Sequence, residues 1–129
     1  MPAKQAKFKE KRKGSTFLAL PHTVLNHPDF INLSSCASRL LIDIANQYRG
    51  YNNGDLCAAM KIMEKRGWKS KSSLQHALKE LLKSDLIRLT RQGGRKIPNL
   101  YAITWKPIDE CGGKLDVSST KLAPRSFRL

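Results

Sequence analysis

"SSLQHALKELLKSDLIRLTRQGGRKIPNLYAITW", residues 72–105, changes its hydrophobic period halfway along. In the first half Leu74, Leu78, Leu81 and Leu82 recur at helical spacing with Ala77 alongside, which predicts a helix over Ser72–Ser84. Its opposite side carries Ser72, Ser73, Gln75, His76, Lys79 and Lys83, a polar and cationic face. In the second half Ile87 and Leu89 alternate with Arg88 and Thr90. Beyond a loop, Tyr101, Ile103 and Trp105 fall on one face. Both runs read as β-strands at period two. The loop between them, Gln92–Asn99, is long for a hairpin. Gly93 and Gly94 admit φ > 0 and a close approach to a surface. Arg91, Arg95 and Lys96 are more than a bend requires.

Working back toward the N-terminus, residues 16–33 predict a short strand over Phe17–Leu20 and then a turn of helix. Pro21 can start a helix, and Pro28 cannot continue one. Ser34 or Ser35 caps the next helix. Its stripe is Ala37, Leu40, Leu41, Ile44, Ala45 and Tyr48, with Arg39, Asp43 and Gln47 off the stripe and Gly50 as the stop. "GYNNGD", residues 50–55, is expected to join two helices without flanking strands. A second helix over Leu56–Lys65 would turn Leu56, Met60 and Met63 inward, the methionines filling core gaps, and Gly67 would end it. Trp68 and Trp105 read as core residues. From Lys106 the composition turns to Pro, Gly, Ser and Thr, an extended tail.

The order strand, three helices, strand, basic loop, strand is that of a winged helix: a helix-turn-helix followed by a β-hairpin wing. The fold class expected is α+β, mainly α. A basic arm covers 1–14, the winged-helix domain 15–106 and the tail 107–129. A helix such as the third fits the major groove of B-DNA, about 12 Å wide. Its apolar face sits on the other helices and its wet face offers donors. Ser73, Gln75, His76 and Lys79 are the expected base readers, since Gln pairs with adenine and Lys with guanine. Lys69, Lys71, Ser72 and Lys83, with Arg91, Arg95 and Lys96 of the loop, are placed for phosphates, or for an Arg in a narrow minor groove.

Charge distribution points the same way. The 129 residues carry 24 Lys and Arg against 10 Asp and Glu, net +14. Residues 1–14 hold six of these cations (Lys4, Lys7, Lys9, Lys11, Arg12 and Lys13) against Glu10. With Phe8 their one large apolar side chain, they cannot bury enough surface to fold alone. They read as a flexible basic arm or a solubilising tail. Residues 69–96 hold eight Lys and Arg against Glu80 and Asp85, net +6. Such a balance calls for a polyanionic partner. Because an A-form major groove excludes a helix, duplex DNA is the favoured nucleic acid.

Other chemistries find little footing. Cys36, Cys57 and Cys111 are far apart and odd in number, as for reduced thiols in a cytoplasmic protein. His22, His27 and His76 lack metal-ligand spacing, so neither metal nor cofactor is expected. No nucleophile–base pair, paired carboxylates or phosphate-cradling glycine motif suggests an enzyme. No apolar run approaches the ~18 residues of a membrane span, and residues 1–16 lack the apolar core of a secretion signal.

The segments "YNNGDL" (51–56), "RGWKSKSSLQHALKEL" (66–81), "YAITWKPIDECGGKLD" (101–116) and "TKLAP" (120–124) carry a resemblance. Across about residues 15–124 the chain resembles small helix-turn-helix proteins of bacteriophages and prophages. More loosely, it is similar to the N-terminal winged-helix part of phage replication proteins. The resemblance implies DNA binding in the cytoplasm of a bacterial host, as a transcriptional regulator or a replication accessory. The second domain for partner binding found in those replication proteins is not expected here, so a regulator or accessory role fits better than a full replication initiator. The alternative is a protein-interaction module, such as a counter-defence factor, whose basic surface engages a host protein or ribonucleoprotein. A homodimer on paired half-sites is possible for such proteins. "IDECGGKLD", 108–116, with its three acids and Cys111, is not explained by DNA binding; it either docks a partner or packs back onto the domain.

Overall fold

Ser34 separates the irregular entry of the chain from its first long helix. The computed structural model describes residues 16–128, so the arm cations Lys4, Lys7, Lys9, Lys11, Arg12 and Lys13 lie outside the described residues. Two single-turn helices come first, α1 (His22–Leu25) and α2 (Pro28–Ile31). Pro28 does not break a helix here. It opens α2 at a position where its missing N–H costs nothing, and His27 Nδ1 accepts the Asp29 N–H at 3.0 Å. The strand expected at Phe17–Leu20 does not form. Leu18 and Leu20 still pack against the core, but a different segment takes the available sheet edge.

In α3 (Ser35–Ala45) the Ser34 hydroxyl caps the N-terminus by accepting the Ala37 N–H at 3.1 Å. The stripe from Ala37 to Ala45 is fully buried, as its spacing predicts. The helix stops at Ala45, ahead of Gly50, which takes φ +96° in the following turn. Asp43 departs from the expectation of an outward side chain: it is only 6% exposed.

The next correction decides the topology. Leu56–Cys57 is not the start of a helix but a strand, β1, paired with β3. Its other edge is covered by the Gln47 side chain, which accepts the Cys57 N–H at 2.9 Å and donates to the Cys57 carbonyl at 2.7 Å. The helix expected over Leu56–Lys65 shrinks to α4 (Met60–Met63) and a 3-10 turn over Glu64–Arg66. Gly67 closes it at φ +95°. The spacing of Leu56, Met60 and Met63 is helical, yet backbone pairing with β3 outweighs it.

Helix α5 (Lys71–Lys83) is capped by the Ser70 hydroxyl, which accepts the Ser73 N–H at 3.2 Å. Leu74, Ala77, Leu78 and Leu81 are buried, and α5 packs on α3. Leu82, expected inside, is exposed. Strands β2 (Ile87–Arg91) and β3 (Leu100–Ile103) complete a three-stranded antiparallel sheet of order β1-β3-β2. A bulge between Leu89 and Arg91 breaks the alternation expected for β2. Leu89 is therefore 38% exposed, while Thr90 is buried and donates its hydroxyl to the Gly54 carbonyl at 2.6 Å. The fold is α+β. No helix among the described residues is long and apolar enough to cross a membrane.

Residues 106–128 have little regular structure beyond a 3-10 turn at Cys111–Gly113, but they are not loose. Ile108 and Phe127 are buried. Arg125 donates to the Ser84 carbonyl at 2.7 Å beyond the end of α5, pairs with Asp29 and lies over the Phe127 ring at 4.4 Å. The tail thus ties α2 to the C-terminal end of α5.

Candidate nucleic-acid interface

The side chains expected to read bases, Ser73, Gln75, His76 and Lys79, are all exposed on α5. Lys69, Lys71, Ser72 and Lys83 are exposed with them. Glu80 is the one carboxylate of α5, and it is directed away from these lysines: its Oε2 accepts the Ser34 N–H at 2.6 Å. Among the described residues Lys69, Lys71, Lys79, Lys83, Arg95 and Lys96 take part in no ion pair. Three acids elsewhere are engaged: Asp43 with Arg66, Asp55 with Lys114, Asp85 with Arg88. Among the described residues these six cations therefore have no carboxylate within ion-pair distance.

What aims α5 is a buried clamp invisible at the level of motifs. Asp43 Oδ2 accepts the Trp68 indole N–H at 2.8 Å, and Oδ1 accepts the Arg66 Nε–H at 3.1 Å. The Arg39 guanidinium sits 5.8 Å from the Trp68 ring centre. One carboxylate on α3 thereby fixes the segment that leads into α5. Asp43, Arg39 and Trp68 escaped the sequence reading as positioning residues. The Arg39–Asp43 spacing of four on one helix was the only available signal.

The β2–β3 loop is a closed structure. Gly94 and Ile97 exchange backbone hydrogen bonds at 3.0 and 3.3 Å, leaving Arg95 and Lys96 at the tip. Neither Gly93 nor Gly94 has positive φ; Lys96 takes that role at φ +67°. Gly93 is needed for space instead, because a Cβ there would lie 2.3 Å from the Ile97 carbonyl oxygen. Its N–H donates to Asn99 Oδ1 at 2.6 Å. Arg95 and Lys96 are exposed as expected. Arg91 is not equivalent to them: it is half-buried, its Nη2 donates to the Pro98 carbonyl at 2.8 Å, and it braces the loop from within.

The 108–116 motif packs back onto the domain. Asp109 Oδ2 accepts the Asn53 N–H, and the Asp109 N–H returns to the Asn53 carbonyl, both at 2.8 Å. Lys114 pairs with Asp55 at 2.7 Å. Asp116 accepts the Gln92 N–H and donates its own N–H to the Thr90 carbonyl, each at 2.8 Å, where the β2 bulge leaves that backbone open. Leu115 lies against Gly54, whose φ of +120° and lack of a Cβ make the room. Burial, with Asp55 and Asp109 nearby, pushes the Cys111 thiol up, away from reactive thiolate. Asn53 is the hub. Fully buried, it donates to the carbonyls of Ile103, Lys106 and Pro107 at 3.0 Å and accepts the Ile103 N–H at 2.9 Å.

Comparison with protein-family models, curated proteins and solved structures finds no match.

Proposed function

We propose that the chain is a winged-helix DNA-binding protein. Its order, α3, β1, α4, α5, β2, wing, β3, is that of a helix-turn-helix with a strand between the first two core helices. The observation that carries the reading is the wet face of α5: exposed Gln75, His76 and four nearby lysines, with Glu80 drawn off to cap α3. In this reading α5 lies in the major groove, with Ser73, Gln75, His76 and Lys79 toward bases. Lys69, Lys71, Ser72 and Lys83 meet phosphates, and Arg95 and Lys96 meet the neighbouring backbone or minor groove. Phosphate contacts supply most of the affinity and make it salt-dependent. The likeness of its motifs to phage helix-turn-helix proteins supports a role as a regulator or replication accessory.

The test is a salt series of binding to a random duplex pool, with the retained fraction sequenced. A steep salt slope with an enriched motif supports a sequence-specific regulator. A steep slope without a motif supports an architectural binder. No binding even near about 50 mM salt overturns the DNA reading and favours a protein partner for the same basic face.

A further inference from the structure

The wing ends in an apolar edge that phosphate contact does not use. Ile97 is 55% exposed directly after the tip cations Arg95 and Lys96, and Pro98 beside it is also exposed. A loop made only to meet phosphates gains nothing from an aliphatic side chain held in water.

We propose that Ile97, backed by Pro98, is a wedge that enters the minor groove of bound duplex DNA, partly unstacks one base step and bends the duplex. The inference rests on the DNA-binding reading above. A wedge has three physical requirements, and the wing meets each.

It must be stiff, because a loop that yields cannot pry stacked bases apart. The Gly94–Ile97 turn is closed by two backbone hydrogen bonds. Gly93 is locked against the backbone of Ile97 and Pro98, and Arg91 braces Pro98 through its carbonyl. Ile97 is β-branched and Pro98 is a ring, so both side chains resist rotation.

It must also be delivered. Arg95 and Lys96 are exposed, unpaired among the described residues and adjacent in the chain, so they can hold the phosphates flanking the entry point. Finally, unstacking must be offset. Burying an exposed aliphatic between bases supplies a favourable term that opposes the cost of opening the step. Pyrimidine–purine steps open most easily, so the wedge favours TA or CA steps opposite the wing.

The experiment measures binding and bending together on an end-labelled duplex of about 30 base pairs, with energy transfer reporting the end-to-end distance. The duplex carries a TA step, placed in turn at each position, and anisotropy reports affinity. The wild-type protein is expected to shorten the distance for one register of the step. Ile97→Ser is expected to bind within about tenfold of wild type but to leave the duplex straight. Ile97→Leu keeps an apolar tip and is expected to retain most of the bend. Far-UV circular dichroism and melting of both variants should match wild type, since the side chain contributes little to the core. Wild-type binding without bending, or Ile97→Ser bending like wild type, overturns the wedge and leaves the DNA reading standing. Absence of wild-type binding to any duplex overturns both.

Discussion

The indole N–H of Trp68 donates to the carboxylate of Asp43 at 2.8 Å, across 25 positions of sequence, in a place that water barely reaches. The same carboxylate holds Arg66. Two donors from the α4–α5 connection thus end on one acid of α3, and α5 inherits its direction from that acid. A buried carboxylate is tolerable only when so engaged. Asp43→Ala leaves the Trp68 N–H without a partner and removes the anion from Arg66, so it should cost about 2–4 kcal/mol. For a chain of this size that lowers the melting temperature by roughly 10 °C, measurable by circular dichroism. A melting temperature unchanged from wild type would refute the clamp.

Asn53 offers a second stability test. Its amide nitrogen faces three carbonyl oxygens, so its identity as a donor matters as much as its volume. Asn53→Asp is nearly isosteric but turns an acceptor toward three acceptors. It should destabilise the fold by several kcal/mol at neutral pH. The defect should ease as pH falls toward about 4, where a protonated carboxyl can donate again. Chemical denaturation at both pH values reads the difference; a pH-independent loss would mean that donor chemistry is not what Asn53 supplies.

On α5, the proposed base readers and phosphate holders separate by kind of effect. Gln75→Ala should change sequence preference more than overall affinity. Lys71→Ala should weaken binding to all sequences alike and lower the log–log salt slope by about 1. Parallel selection and salt titration of the two variants give both quantities. Equal losses on every sequence for Gln75→Ala would remove base readout from that position.

Asp85 gives a pH signature of its own. The Arg88 guanidinium hydrogen-bonds its carboxylate at 2.8 Å and holds it below its ordinary value of 3.8. Because the folded value is the lower one, the pair stabilises the protein above the unfolded value. That contribution is lost as pH falls through the folded one. Both partners are substantially exposed, so the effect is small. Wild type and Arg88→Ala should differ in melting temperature at neutral pH and converge as pH falls below the ordinary carboxylate range and through the lowered Asp85 value. A gap that persists in acid would assign the effect to Arg88 packing instead of the ion pair.

Much of this was legible from residue patterns. The stripes of α3 and α5, the Ser34 cap, the Gly67 stop and the two strands around the basic loop follow from local periodicity and capping chemistry, which act within a turn or two of chain. The outer face of α5 was legible for the same reason, except at Leu82, which spacing puts inside and the structure leaves exposed. What failed were assignments that depend on a distant partner. Leu56–Cys57 looks helical by spacing and is a strand because β3 is beside it. Phe17–Leu20 looks like a strand and forms none. Leu89 and Thr90 exchange places because of one bulged residue.

By itself, then, the chain's sequence determined its charge distribution, its helix faces and its punctuation, since each is set by neighbours three or four residues away. Only the tertiary structure decided where β1 pairs, why Asp43 is buried, and why an acidic motif such as 108–116 sits in so basic a chain. Those answers come from unpaired backbone and buried polar groups, which must find partners wherever the fold brings them, at separations no local pattern records.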